Sequence, residues 1–270
     1  MPLPNHFLSD ILRRKKRGIY FSKRRRRWPW ALATLAIVTI LTYAVIYLSE
    51  NSIEHAGQRR RAAILDGLSI DYPNQTFIES AMGILSYAGY DVDVYNSENI
   101  TLELLKELPT RDYDLVIFRV HGGRIRQPVG IYIGSGLFIE RCSPESNKEE
   151  IESGYLLIGR PFLSNDTYCV APPHYIADKL QGSFRSALII AMSCFTGNDN
   201  VMATAFFKRG AGAYIGFSGK VSPDYADEFT IILLRKLYVE ELPLQEAFNR
   251  AREELGPDPY YEGIPMLYLP

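Results

Sequence analysis

Histidine and cysteine are scarce in this chain, at four and three of 270 residues. None of the Cys/His spacings resembles a zinc site, so neither a metal centre nor an organic cofactor is expected. Three cysteines are also too few to build a disulfide-dense scaffold. A glycine-rich phosphate loop is missing. The segment after the first expected strand reads DGLSIDYPN, with neither G-x-G-x-x-G nor G-x-x-x-x-G-K-[ST], which disfavours a phosphate-binding hydrolase or transferase on a flavodoxin-like sheet. No internal repeat is visible. Apolar residues at 47% and charged residues at 23% are not the composition of a disordered chain.

What charge there is has been sorted. Residues 1–28 hold ten Lys or Arg and one acid, Asp10, so the remainder carries a net charge of −10. A basic tail on an acidic body does not match a nucleic-acid-binding domain. Beside the tail, residues 28–48 read WPWALATLAIVTILTYAVIYL, with no charge in 21 positions. At about 1.5 Å per residue this run spans roughly 30 Å, the thickness of a bilayer core. Aromatic residues lie toward both of its ends, as at a membrane interface. A buried core helix and a cleaved signal peptide are the rivals. The first lacks the polar face of a globular helix, and the second calls for a shorter run and small residues at a cut site.

RRKKR at 13–17 and KRRRR at 23–27 precede the run, and only Arg59–Arg61 lie close after it. The positive-inside rule then makes residues 1–27 a cytoplasmic tail, 28–48 a single transmembrane helix and 49–60 a short stalk at the cell membrane. Residues 61–270 form an extracytoplasmic domain. Cys142 and Cys169 suit a disulfide in that compartment, with three unpaired thiols as the alternative. Asn74, Asn99 and Asn165 each begin an N-x-T sequon.

From Arg61 onward strand and helix signals alternate. Strands are expected at 61–68, 90–95, 113–120, 186–193 and 211–217. Helices are expected at 74–88, 102–108, 172–181, 198–209, 224–240 and 244–255. The stretch 122–184 reads as long and irregular apart from a hairpin and the 172–181 helix. This alternation implies an α/β fold: a doubly wound, mostly parallel sheet with helices on both faces. Working groups in such sheets gather at the carboxyl ends of the strands.

Two strand tips carry chemistry. LVIFRV ends in His121-Gly122-Gly123, and SALIIAMS ends in Cys194-Phe195-Thr196-Gly197. If the strands are neighbours, an imidazole meets a thiol, and the base can take the thiol proton and later return it to a leaving amine. Glycine after the histidine lets a backbone N–H approach an oxyanion, so Gly122 and Cys194 are the expected oxyanion-hole donors. The expected helix start at Asn198 would add a dipole near the nucleophile.

LVIFRVHGG followed by ALIIAMSCFTG resembles the caspase-like cysteine peptidases, a group that includes caspases, gingipains, clostripain, legumain and separase. The likeness covers roughly residues 61–270. It implies a cysteine endopeptidase with His121 and Cys194 as catalytic dyad, acting on a peptide or protein substrate. MATAFFKRGAGAYIGFSGKVSP at 202–223 is also similar to the family, in which the loop beyond this strand helps form the substrate cleft. That implies substrate contacts from Phe217 and Ser218. The tip of the first strand can contribute to the S1 pocket, which brings in Asp66 as a partner for a basic P1 side chain, against its plain reading as a turn aspartate. Met192-Ser193 before the cysteine matches neither caspases nor metacaspases, so neither group's specificity transfers. The rival from another class is a silent caspase-like domain serving as a membrane-tethered binding or scaffold module.

Overall fold

The computed structural model describes residues 33, 35–43, 59–126, 132–142, 145, 147–161 and 166–270. Residues 33 and 35–43 are helical, and no helix among the described residues is long and apolar enough to cross a membrane. The rest of the expected span, the basic tail, most of the stalk and Asn165 lie outside the described residues. Arg59–Pro270 forms one compact unit.

That unit is an α/β domain built on a mostly parallel sheet. In chain order its elements begin with β1 (Arg60–Asp66), α1 (Gln75–Tyr87), β2 (Tyr90–Asn96), α2 (Leu102–Glu107) and β3 (Leu115–Arg119). Then come β4 (Gly122–Arg126), β5 (Tyr132–Arg141), α3 (Lys148–Glu152), β6 (Leu157–Gly159), β7 (Tyr168–Ala171) and α4 (Pro173–Lys179). The chain continues through β8 (Leu188–Ala191), α5 (Val201–Lys208), β9 (Ala213–Phe217), α6 (Pro223–Tyr238), α7 (Leu244–Leu255) and β10 (Pro265–Tyr268).

The main sheet has the order β10-β9-β8-β3-β1-β2, with only β10 antiparallel to its neighbour. Its central strands are mostly apolar because both faces are covered, with Arg119 and Asp66 as buried charged exceptions. All of Leu115–Arg119 on β3 is buried, and so are Ile189, Ile190 and Ala191 on β8. Alternate residues feed two cores. Val116, Phe118, Ile189 and Ala191 pack with side chains of α2, α4 and α5. Ile64, Ile117, Ile190 and Ile215 pack with α1, α6 and α7. Local signals set the helix ends. The Asn74 side chain accepts from Phe77 N and opens α1, and Gly89 follows its end at φ +82°, where a Cβ would be strained. Ser222 caps α6, with Pro223 in its first turn.

Three departures from the sequence reading concern the site. The 122–184 stretch is not irregular: it holds a second, four-stranded antiparallel sheet in the order β4-β5-β7-β6. Short strands interrupted by glycine and charge give a weak periodic signal, and their pairing is set by tertiary contacts. Helix α5 starts at Val201 rather than Asn198, because residues 194–200 form turns and bends. The edge strand β10 was not expected, being a four-residue segment bounded by proline. Cys142 and Cys169 are joined as a disulfide, just past the end of β5 and within β7.

Candidate active site

The parallel ladder between β3 and β8 brings His121 and Cys194 together. Phe118 pairs with Ala191, and the same offset of 73 residues separates His121 from Cys194. Beyond the paired residues the alignment is held by Met192 N donating to Phe118 O at 2.7 Å and the buried Ser193 Oγ donating to Val120 O at 2.7 Å. The two residues therefore leave adjacent strands side by side, about 5 Å apart in the backbone. Both border one cleft of about 330 Å³ at the carboxyl end of the sheet.

Gly122 fits here because nothing larger can. A Cβ on it would sit 2.6 Å from Cys194 O and 3.0 Å from Cys194 N. Phe138 N donates to His121 O, so the antiparallel alternation turns the Gly122 N–H away from β5. Two expected oxyanion donors, Gly122 N–H and Cys194 N–H, thus come from abutting backbones. The turn itself is under strain: Phe195 has φ +65°, outside the usual range for a bulky residue. It is held by Phe195 N on Gly219 O at 2.8 Å and Gly197 N on Phe217 O at 2.9 Å.

The Cys194 thiol is half-buried, and its sulfur lies 3.7 Å from Val221 O, to which it donates. Burial pushes its pKa up, with the Val221 contact and the Lys220 charge opposing. The resting group is therefore a thiol, and an acceptor for its proton is needed before it can attack. No hydrogen bond joins His121 to Cys194 among the described residues; such contacts often close only when substrate is bound.

His121 Nε2 lies 2.9 Å from Asp71 Oδ2. An ionised carboxylate only accepts, so Nε2 carries the proton and Nδ1 is left as the acceptor. Asp71 also accepts from Tyr168 Oη at 3.0 Å and Arg141 Nη2 at 3.2 Å. Burial works to raise its pKa. The bonds from His121 and Tyr168, with the charges of His121 and Arg141, outweigh that and hold it below the ordinary carboxylate value. Burial and the Asp71 contact push the Tyr168 phenol up to about 12, so it stays a donor. The rings of Tyr72, Phe138 and Tyr168 meet the imidazole edge-on, with centroids 5.9–6.4 Å away. Asp71, Tyr168 and Arg141 were all missed in the sequence, where the only hint was an aspartate in the loop after β1.

Three expected substrate contacts do not reach the cleft. Asp66 is buried and binds Arg119 Nη1 at 2.7 Å. The Arg119 guanidinium also holds Asp227 through Nε and Nη2 at 2.7 and 2.9 Å and donates to Tyr72 O at 2.9 Å. A carboxylate spent on a buried cation has no charge to offer a substrate; its role is to fix the loop that carries Asp71. Phe217 is fully buried against Phe229 and Tyr225. Ser218 instead ties β9 to the segment before β10, through Ser218 N on Ile264 O and Ile264 N on Ser218 Oγ.

Elsewhere, a groove of about 440 Å³ between α7 and the start of β10 holds no nucleophile or imidazole. Among the described residues there is no group of three or more His, Cys, Asp or Glu able to hold a metal ion. His174 binds Gly154 O and faces Tyr155, away from the cleft. Asn74 uses both side-chain polar atoms, on Phe77 N and Asp227, so it is not presented as a glycan acceptor, whereas Asn99 is exposed. The sequence matches no protein-family model and no curated protein.

Proposed function

We propose that Arg59–Pro270 is a caspase-like cysteine peptidase domain, tethered by the apolar run 28–48 and working on the extracytoplasmic side of the cell membrane. One observation carries the reading: His121 and Cys194 share a cleft at adjacent strand tips, with Asp71 seated behind the imidazole. A nucleophile, a base and a group orienting the base is the arrangement that thiol acyl transfer needs.

The reaction follows from those positions. Cys194 Sγ attacks the scissile carbonyl carbon as its proton passes to His121 Nδ1. The C=O electron pair moves onto oxygen, where the N–H groups of Gly122 and Cys194 meet it. Collapse breaks the C–N bond, and His121 returns the proton to the departing amine. The resulting thioester is cleaved by water, whose proton His121 takes. The carboxylic acid leaves and the thiol is restored. Asp71 keeps its charge throughout and steadies the imidazolium. The disulfide Cys142–Cys169 supports an oxidising compartment, which agrees with the orientation expected from the flanking basic residues.

The test is turnover of a mixed peptide library by the full chain and by Cys194→Ala. The expected result is loss of all cleavage in the variant with an unchanged melting temperature. A thiol-reactive peptide probe should modify Cys194, and His121→Ala should slow that labelling. Full activity in Cys194→Ala would sink the peptidase reading. A chain that neither cleaves nor labels is instead a tethered binding module.

A further inference from the structure

Two features of the cleft bear on what it accepts, and they lie on different sides of the nucleophile. Beneath the Cys194 sulfur the floor is apolar. Met192 lies just past the end of β8, and both it and Cys194 pack against the core beside α6. Leu68, Val120, Val221 and Ala226 complete the floor, each 7% exposed or less. Asp66 and Asp227 are buried on Arg119, and Asp71 is taken up by His121, Tyr168 and Arg141. A charged side chain pressed onto these apolar neighbours would lose its hydration there.

The rim has the opposite character. Arg124, Arg160 and Lys220 border the cleft, all exposed, and no Asp or Glu is among its described bordering residues. Arg124 lies over the Phe195 ring at 4.5 Å and donates to Asn198 Oδ1 at 3.2 Å, so its charge is fixed beside the nucleophile's turn. Lys220 sits 5.9 Å from the Tyr261 ring. Three cations around a concave site in a body that carries −10 outside its basic tail form a local field of reversed sign. Such a field draws in anionic ligands and repels cationic ones.

We propose that the substrate is an acidic polypeptide segment cleaved after an uncharged apolar residue: the apolar side chain rests on the Met192 floor, and flanking Asp or Glu side chains meet Arg124, Arg160 and Lys220. This rests on the peptidase reading and names its substrate class. Met192 is the specificity-determining residue of the floor, and the three cations select the flanks.

The experiment uses the full chain in detergent micelles and fluorogenic peptides differing at two places. The residue donating the scissile carbonyl is Leu, Lys or Asp, and the neighbours are Glu-rich or Lys-rich. Glu-flanked Leu peptides should have the highest kcat/KM, about tenfold or more above Lys or Asp at the cleaved position. Arg124→Glu with Lys220→Glu should lower kcat/KM for Glu-flanked peptides roughly tenfold and raise it for Lys-flanked ones. Met192→Asp should move the preference at the cleaved position toward Lys. Cys194-dependent cleavage after Lys or Asp as fast as after Leu in the unmodified chain overturns the apolar floor, and indifference to flanking charge overturns the cationic rim. A second readout is labelling by peptidyl acyloxymethyl ketones, in which Cys194 sulfur bonds to the methylene carbon and a carboxylate leaves. If neither cleavage nor labelling depends on Cys194 for any peptide, the peptidase reading itself fails, and the specificity fails with it.

Discussion

Asp71 illustrates how much of the site depends on single side chains that carry no motif. Its partners lie 50, 70 and 97 residues away, at His121, Arg141 and Tyr168. Replacing it with Asn keeps an acceptor but removes the charge that steadies the imidazolium. Asp71→Asn should therefore cut kcat on the order of 10²-fold or more with little change in KM, and shift the pH–rate profile. A merely structural loss would leave that profile in place. The sign for stability also follows. The Asp71 pKa is lowered in the fold, so its contribution is complete above the ordinary aspartate value of 3.8 and fades as pH falls through the folded value. The stability gap between the native chain and Asp71→Asn should close only in strongly acidic solution, as measured by urea unfolding at stepped pH. Arg119 is a second such residue. Arg119→Met strands Asp66 and Asp227 in the interior and should cost about 3–5 kcal/mol in the same assay. His121, Gly122 and Cys194 were legible because each follows an unmistakable buried strand. Asp71 was not, since a loop aspartate looks like any turn former until the fold closes around it. Asp66 misled for the converse reason: its place at a strand tip was legible, but the cation beneath it was not.

Among the elements, β3 and β8 needed little beyond their apolar runs, because burial on both faces leaves few other readings for LVIFR and LIIA. The antiparallel sheet was hidden for physical reasons. β4 and β5 carry Gly122, Gly123, Gly134 and Gly136, and β6 is three residues long, so neither alternation nor propensity marks them. This sheet nonetheless supplies Arg141 at the end of β5 and Tyr168 at the start of β7, two of the three donors that hold Asp71. Cys142 follows the first, and Cys169 follows the second. Breaking the disulfide by Cys142→Ser with Cys169→Ser should reduce stability by about 2–4 kcal/mol. It should also lower kcat and move the pH–rate profile in the same direction as Asp71→Asn, because both donors lose their fixed spacing. A variant with lower stability but an unmoved profile would show that the bond braces the sheet alone.

For the molecule as a whole, the division of charge between residues 1–28 and the rest was plain from composition, whereas the cationic cleft inside the acidic body emerged only once segments far apart in the chain met. If residues 28–48 span the bilayer as proposed, a protease added outside intact cells should digest the 59–270 domain and leave the basic tail protected; digestion of the tail instead would reverse the orientation. The Cys142–Cys169 bond gives this topology a temporal meaning. With the proposed topology, a newly made chain would meet a reducing environment before export, where that bond does not form. The Asp71 cluster then lacks its clamp, and His121 lacks a settled orientation. On the proposed peptidase reading, self-digestion during synthesis would thereby be discouraged without a separate inhibitor, and competence would arrive with delivery.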